Sequence, residues 1–168
     1  GRAMVKGSIG SKAFGGIVVG GSVSQTFTFT NSGDATATLM YVAIAGTDFS
    51  LANNNCGTSG SKITRAVNAT CTVDVVFAPT SVTSFTGTLT LYYTDGSISQ
   101  TSPFELTGTG LAPASLAFSP TSKAFGNVTV GANSSQTFTI TNSGGVSATL
   151  VYLTVPGADY SLSSNNCG

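Results

Sequence analysis

The 168-residue sequence has no histidine and no tryptophan, and only 7% of its residues are charged. Without histidine, the chain lacks the commonest general base and the commonest metal ligand of proteins. Six Lys plus Arg balance six Asp plus Glu, so the chain presents no electrostatic footprint for nucleic acid or an anionic membrane. We therefore predict a protein that is not an enzyme, with no catalytic, cofactor-binding or metal-binding residue.

Long apolar runs are missing too, since none approaches the roughly 20 residues that a membrane helix needs. The sequence does not begin with Met and shows no secretory signal, so we expect a mature, excised or recombinant fragment. Charged residues usually make up about 25% of a chain, so this surface is built mainly from Thr, Ser, Asn and Gly. A neutral chain with few charges is prone to associate, because little repels its neighbours.

The sequence has instead an internal repeat with a period of 111 residues. Residues 11–57 and 122–168 align without a gap, and 28 of the 47 aligned pairs are identical. Solenoid and propeller repeats run about 20–50 residues, so a period this long corresponds to a whole domain. We expect residues 11–110 to be one complete domain and residues 111–168 to be the first half of a second. Residues 1–10 match their repeat partner poorly and are interpreted as an N-terminal extension or a cloning remnant.

Alternating apolar and polar residues predict short β-strands throughout the chain. In Thr26–Thr30, for example, Phe27 and Phe29 face one side and the threonines face the other. No stretch has a convincing helical period. The predicted strands are Phe14–Val19, Thr26–Thr30, Thr36–Ile44, Asp48–Leu51, Cys71–Phe77, Phe85–Tyr93 and Gln100–Thr107. This pattern favours an all-β fold of tandem immunoglobulin-like antiparallel β-sandwiches, one complete and one half present, with a barrel as the competing architecture.

Several short motifs, in this order, resemble the ASH-type (abnormal spindle and hydin) immunoglobulin-like domain, whose bacterial form is known as the choice-of-anchor D repeat. The motifs are Phe14-Gly15, Gln25–Gly33, Gly46–Leu51, Cys56-Gly57, Ala69–Val73, Val76–Pro79, Gly87–Leu91 and Leu106–Gly110. The resemblance implies a seven-stranded sandwich used as a spacer, scaffold or interaction module. Bacterial members are secreted or surface-attached. Ciliary and centrosomal members are typically more charged than this chain.

The three cysteines are relevant to whether the protein is found in an oxidising or a reducing compartment. In bacterial relatives the positions of Cys56 and Cys71 resemble a disulfide pair that closes the polar loop between them, and such a bridge would stabilise the fold by roughly 3 kcal/mol. The alternative is two buried free thiols in a reducing cytoplasm. Cys167 is the repeat equivalent of Cys56, and its partner would lie beyond the last residue. It is therefore free, oxidised, paired between chains or orphaned by truncation.

The half repeat lacks counterparts of the last three predicted strands. A sandwich without them would expose its apolar inner face and unpaired strand edges. Either the protein continues with further repeats, or strands from another copy complete the unit by β-augmentation, or the unit is disordered. We favour the first two equally.

Two surface features suggest other partners. Tyr92 points outward and would stack on a sugar in a carbohydrate-binding module, although one exposed tyrosine is a normal surface feature. Asn68, Asn127 and Asn133 begin glycosylation sequons, which arise easily by chance in a chain rich in Thr and Asn.

From these observations we predict a non-enzymatic structural repeat module of a secreted or cell-surface bacterial protein. It would act as a stiff rod or a self-associating filament subunit, whose partners are other copies or adjacent repeats. The first alternative is an adhesin or carbohydrate-binding module that engages a surface glycan through loops and Tyr92. The second is an intracellular scaffold domain of the ciliary or centrosomal type.

Overall fold

The structure, a computed structural model that describes all residues from Gly1 to Gly168, contains eleven β-strands. The chain divides into two compact units, Gly1–Leu111 and Ala112–Gly168. The strands of the first unit are β1 (Val5–Gly7), β2 (Ser11–Val18), β3 (Val23–Asn31), β4 (Ala37–Ala45), β5 (Phe49–Ala52), β6 (Ile63–Arg65), β7 (Thr70–Phe77), β8 (Ser84–Thr94) and β9 (Ser99–Leu111). The second unit contains β10 (Leu116–Ser119) and β11 (Thr139–Asn142). No helix of this structure has the length and apolarity that crossing a membrane requires.

The first unit is an immunoglobulin-like β-sandwich of two sheets. One sheet has four strands in the order β1-β3-β7-β5, and the other has five in the order β2-β9-β8-β4-β6. Strands β3 and β7 pair antiparallel from Val23↔Phe77 to Thr30↔Thr70, and β8 and β9 form a long antiparallel hairpin. All seven predicted strands are present, and the predicted all-β, immunoglobulin-like class is confirmed.

The core lies between the two sheets because alternate residues of each strand point inward. On β7 the inward residues Cys71, Val73, Val75 and Phe77 are buried, while the residues between them are partly exposed. The opposite sheet contributes buried apolar side chains from β4, β8 and β9, namely Met40, Val42, Leu89, Leu91, Phe104 and Leu106. Burial of these side chains is the main source of stability of such a fold.

Two strands were not predicted, and one of them corrects the expected boundary. Residues 1–10, expected to lie outside the domain, include β1, which pairs with β3 from Val5↔Asn31 to Gly7↔Phe29. Ala3 and Val5 are buried in the core. The other unpredicted strand is β6 (Ile63–Arg65), which pairs with β4. Strands of three residues carry too little alternation to be recognised from sequence.

The sequence pattern predicted a purely antiparallel sandwich, but one strand pair is parallel. Strand β2 pairs with β9 in parallel, from Ser11↔Glu105 to Val18↔Leu111, with an irregularity between Ala13 and Gly16. Strand β1 belongs to one sheet and β2 to the other, so the chain changes sheets between them. Strand alternation predicts which side chains face the core but not the direction of the neighbouring strand.

The second unit contains a single two-stranded sheet. Strands β10 and β11 pair antiparallel from Leu116↔Asn142 to Ser119↔Thr139. This register is that of β1 with β3, displaced by the 111-residue repeat.

Candidate functional site

In the first unit, residues 58–111 cover the apolar side chains of residues 1–57. Strand β7 places Val73 opposite Phe27 and Phe77 opposite Phe49. The ring of Phe77 lies 4.9 Å from that of Phe49 and 5.9 Å from that of Phe14. From the other sheet, the ring of Phe104 lies 6.3 Å from Phe27 and 5.4 Å from Phe29, in edge-to-face arrangements. Such aromatic pairs stabilise by about 0.5–1.5 kcal/mol beyond their buried area.

The two halves are also joined covalently. Cys56 and Cys71 form a disulfide across a sequence separation of 15, with their Cα atoms 5.2 Å apart. Both cysteines are buried. The pairing implied by the family resemblance is therefore present, and Cys167 is the one cysteine without a disulfide.

A buried asparagine ties three segments of the first unit together. The Asn31 side chain is fully buried, and its Oδ1 accepts hydrogen bonds from the backbone N–H groups of Met4 (3.1 Å) and Gly33 (3.2 Å). Its Nδ2 donates to the carbonyls of Ala35 (2.8 Å) and Arg65 (2.9 Å). Because every polar atom of this amide has a partner, its burial is compensated. In the sequence, the one indication of this role is that Asn31-Ser32-Gly33 recurs at 142–144.

The second unit repeats the local geometry of the first, position by position. The Asn142 Oδ1 accepts from the backbone N–H groups of Ser115 (3.1 Å) and Gly144 (3.0 Å), and its Nδ2 donates to Val146 (2.9 Å). The Cys167 N–H donates to Asn165 Oδ1 at 2.9 Å, as the Cys56 N–H does to Asn54 Oδ1 at 2.8 Å. Left-handed backbone recurs at equivalent positions in both units: Gly15/Gly126, Gly20/Gly131, Leu39/Leu150, Gly46/Gly157, Asn53/Ser164 and Gly57/Gly168.

The apolar side chains of the second unit are less buried than their equivalents in the first. Phe138, the equivalent of the fully buried Phe27, is 42% exposed, and Tyr160, the equivalent of Phe49, is 56% exposed. We call the side chains equivalent to the core of residues 1–57 the open face. Its larger side chains include Phe125, Phe138, Ile140, Leu153 and Tyr160.

The pairing scheme explains why only β10 and β11 form in residues 112–168. In the first unit, β2 pairs with β9, β4 pairs with β6 and β8, and β5 pairs with β7. Only β1 and β3 pair with each other within the first 57 residues. The second unit forms the equivalent of that pair and no other sheet.

Three carboxylates of the first unit bind the protein's own groups. Asp48 accepts from the Thr80 N–H at 3.0 Å. Asp74 accepts from the Thr26 hydroxyl and from Asn53 Nδ2 on the outer face of the four-stranded sheet, and these bonds, the Thr26 bond first, lower the pKa of Asp74.

The third, Asp95, is 3% exposed and lies in the turn between β8 and β9. Its carboxylate accepts from the N–H groups of Ile98 (2.8 Å) and Ser97 (3.0 Å) and from Gln100 Nε2 (2.9 Å). The Ile98 hydrogen bond is the main cause that lowers the pKa of Asp95, and the Arg2 guanidinium, 3.7 Å away, adds a smaller effect. No group of three or more Cys, Asp or Glu side chains lies together as metal ligands would.

Tyr92, the candidate sugar contact, is half-buried and not isolated. Its ring stacks on Tyr41 across β4 and β8, with centroids 4.6 Å apart and planes 10° apart. The Lys62 ammonium lies 5.6 Å from the centroid of the Tyr41 ring. A shallow groove of about 460 Å³ runs beside this pair, lined by Thr38, Leu39, Lys62, Ile63, Thr64 and Arg65.

The three sequon asparagines are exposed and lie apart along the chain. Asn68 occupies a turn before β7 with a positive φ of 62°. Asn127 and Asn133 lie in the second unit outside its strands. None of the three contacts Tyr92 or the disulfide through a hydrogen bond of its side chain.

Taken together, two packed sheets with an irregular, partly parallel edge define an immunoglobulin-like β-sandwich module. The family model described as Cep192 domain 4 matches residues 6–111. The chain belongs to this family.

The chain is similar to several solved structures at low sequence identity, and the first of those described here shows the same fold. The ASH/PapD-like domain of human CEP192 (PapD-like domain 7) is 11% identical, with a TM-score of 0.52, over 63% of this chain and 84% of that one. The VesB protease of Vibrio cholerae is 21% identical, with a TM-score of 0.46, over 64% of this chain and 31% of that one. The class 5 fimbriae chaperone CfaA is 8% identical, with a TM-score of 0.48, over 85% of this chain and 68% of that one. No curated protein matches the sequence.

Proposed function

We propose that the chain is a non-enzymatic structural module of a secreted or cell-surface bacterial protein, in which tandem β-sandwich units act as lengthwise spacers. The observation that carries this proposal is that the chain enters and leaves the first unit at opposite ends. Near the start, the Ala3 N–H donates to the Asp95 carbonyl at the turn between β8 and β9. At the other end of β9, the Leu111 carbonyl accepts from the Val19 N–H.

Strand β9 extends from one of these ends to the other. It runs for 13 residues, from Ser99 to Leu111, which corresponds to about 40 Å of extended strand. Only four residues, 112–115, separate β9 from β10, and they include Pro113, which has a fixed φ. A repeat built in this way would add length with each copy, as a spacer requires.

The disulfide supports the secreted setting. Disulfides persist in oxidising compartments and are rare in the cytosol. The intracellular scaffold alternative predicts free thiols at Cys56 and Cys71. We expect protein isolated from its source organism in the presence of an alkylating reagent to show one reactive cysteine, Cys167, rather than three.

The assignment as a non-enzyme is supported by what the ionisable groups do. Asp48, Asp74 and Asp95 are engaged by hydrogen-bond donors of the fold itself. Catalytic carboxylates instead need to reach a substrate, and a nucleophile needs a base within hydrogen-bond distance.

Small-angle X-ray scattering tests the spacer function. Chains with one, two or three copies of residues 1–111 before residues 112–168 should grow in maximum dimension by about 40 Å per copy. A matched control inserts a long Gly/Ser linker between copies, which should broaden the distance distribution without a regular increment. Growth of only a few ångströms per copy would show side-by-side packing and contradict the proposal.

One observation favours a second candidate function, the binding of a surface glycan. The stacked Tyr41 and Tyr92 rings form a half-exposed aromatic platform beside the groove, and aromatic rings present both an apolar body and a polar tip. If this function is correct, Tyr92→Ala abolishes binding on a glycan array, whereas Tyr160→Ala in the second unit leaves it unchanged. Absence of any bound glycan for the unmodified chain would exclude it.

A further inference from the structure

Two of the six basic residues of the chain line a single groove of the first unit. Lys62 and Arg65 lie next to and within β6, the strand at the edge of the five-stranded sheet. The groove, of about 460 Å³, runs beside the stacked rings of Tyr41 and Tyr92. We propose that it binds an acidic polysaccharide, in which Lys62 pairs with the carboxylate of a uronic acid residue. This inference rests on the second candidate function, glycan binding, and names the class of glycan.

The charge of Lys62 is available to a ligand. Its side chain is exposed, and the one salt bridge of the structure joins Arg2 to Asp95. Strands β4, β6 and β8, which surround the groove, contain no carboxylate. On β9, Glu105 lies four register positions away from the partner of Tyr92, which corresponds to about 13 Å along the strand. The groove is therefore locally positive in a chain whose net charge is zero.

The second basic residue, Arg65, serves the fold and adds to this positive charge. Its Nη1 and Nη2 atoms donate to the carbonyls of Thr64 (3.0 Å) and Asn55 (2.6 Å). Its own carbonyl accepts from the buried Asn31 side chain at 2.9 Å. Since the guanidinium is engaged by the protein, Lys62 is the group that contacts the ligand.

The two tyrosines add hydroxyl donors beside this ammonium. Tyr41 and Tyr92 are direct partners across β4 and β8, and β6 lies on the other side of β4. One face of the Tyr41 ring therefore stacks on Tyr92, and the Lys62 ammonium lies 5.6 Å from its centroid. Side chains stand roughly perpendicular to a sheet, so the two phenol hydroxyls leave it side by side. Phenol and ammonium donors together suit a carboxylate, which accepts through two oxygens.

A strained leucine gives the groove an apolar wall. The register of β4 against β8 shifts between Thr38 and Tyr41, and in this irregularity Leu39 has a φ of 51° and is 56% exposed. Positive φ is unfavourable for a bulky residue, and β-bulges redirect side chains at the edges of sheets and beside binding sites. Leu39 and Ile63 offer a surface for the C–H face of a sugar ring, and Thr38 and Thr64 offer hydroxyls for its hydroxyl groups.

The shape and charge of the groove favour an extended acidic sugar chain over other ligands. A small-molecule site usually encloses most of its ligand, whereas this groove is shallow and follows the edge of the sheet. Nucleic acid binding depends on several phosphate contacts, and here only Lys62 has a free charge. A polymer with one carboxylate on each sugar matches one free ammonium next to an apolar wall and hydroxyl groups.

Isothermal titration calorimetry with matched sugars tests the inference. The full chain is titrated with oligosaccharides of polygalacturonate, alginate and hyaluronate, and with the methyl ester of each, which keeps the sugar and removes the charge. We expect at least one acid to bind and its ester to bind about tenfold more weakly, because a charge-assisted hydrogen bond is lost. In about 1 M NaCl, where the Debye length is about 3 Å, binding of the acid should weaken more than binding of the ester.

Variants of the chain assign the preference to one side chain. Lys62→Gln should bind acid and ester alike, with the affinity of the ester. Lys6→Gln, on β1 of the other sheet, removes the same charge away from the groove and should keep the preference. A preference for the acid that survives in Lys62→Gln would overturn the inference, and so would failure of all three acids to bind.

Equal affinity of the unmodified chain for acid and ester would also overturn it. In that case glycan binding through Tyr92 would still stand as a function, and only the class of glycan would be wrong. The spacer proposal is tested by scattering and depends on neither result.

Discussion

Residues 11–57 and 122–168 are identical at 28 of 47 aligned positions and share most of their left-handed turn positions, yet they differ in how far their apolar side chains are buried. Phe27 is fully buried, whereas its equivalent Phe138 is 42% exposed. The asparagine hydrogen bonds and the left-handed positions recur in both. The regions differ because strands β7–β9 pack on the first and not on the second.

Local sequence determines the turns of both regions, whereas distant strands determine how far the apolar side chains are buried. Turns and asparagine caps depend on residues within a few positions of each other, and they form in both regions. Strand pairing depends on partners far along the chain, so the same β-prone residues form a sheet only where a partner is present. A substitution should therefore have a large effect in the first region and a small effect at the equivalent position of the second.

The largest difference is expected at the central phenylalanine. Phe27→Ala should lower the free energy of unfolding of the first unit by about 4 kcal/mol, because it leaves a cavity between the two sheets. Phe138→Ala should change the same transition by less than about 0.5 kcal/mol. Urea unfolding followed by far-UV circular dichroism measures both values. Similar losses for the two variants would mean that residues 112–168 are packed as tightly as the first unit.

The next largest difference in stability is expected when the disulfide is removed. The double variant Cys56→Ser, Cys71→Ser should lower the stability of the first unit by about 3 kcal/mol, since the bridge closes a loop of 15 residues. Cys167→Ser is the matched control and should leave the thermal midpoint unchanged. A double variant as stable as the parent would show that the bridge contributes nothing to the fold.

The repeated asparagine distinguishes the two regions at the level of hydrogen bonds. Asn31→Ala removes the buried amide that bonds to partly buried backbone groups of Met4, Ala35 and Arg65, and it should cost about 2 kcal/mol. Asn142→Ala has the same local bonds in an exposed setting, so we expect a change near zero in the same calorimetric transition. A loss of equal size at both positions would contradict the role assigned to burial.

Much of the fold could be predicted because its strands alternate regularly. The seven longer strands and the immunoglobulin-like class follow from alternation and turn spacing. Strand β1 and strand β6 could not be predicted, since three residues of alternation are not distinctive. The parallel pairing of β2 with β9 was missed because alternation does not encode the direction of a neighbour.

The candidate site was predictable only in part. The repeat and its missing strands indicated an uncovered face in residues 111–168, and the spacing of the cysteines drew attention to Cys167. The structural role of Asn31 was not foreseen, because Asn-Ser-Gly is an ordinary turn sequence and burial of the amide depends on Arg65, which is distant in sequence. Nor did the sequence indicate that Tyr92 stacks on Tyr41, which depends on the register of β4 and β8.

The smallest expected effect concerns the loss of stability at low pH. It involves hydrogen-bonded carboxylates that are present only in the first unit. Asp95 has no equivalent in residues 112–168, and its pKa is lowered from 3.8, first by the Ile98 hydrogen bond. Because the folded state binds this proton less readily than the unfolded state, the stabilisation is fully present above about pH 4. It is lost as the pH falls through the lower pKa of the folded state.

Asp95→Asn should therefore flatten the decline of thermal midpoint between about pH 4 and pH 2, the window below the unfolded-state pKa. Asp74→Asn should flatten it less, because Asp74 lies on the exposed outer face, where solvent screens its bonds to Thr26 and Asn53. Thr137, the equivalent of Thr26, has no carboxylate partner, so Thr137→Val is the control and should leave the acid profile unchanged. If Asp95→Asn and the parent chain lose stability in parallel from pH 4 to pH 2, the turn between β8 and β9 does not depend on an ionised Asp95.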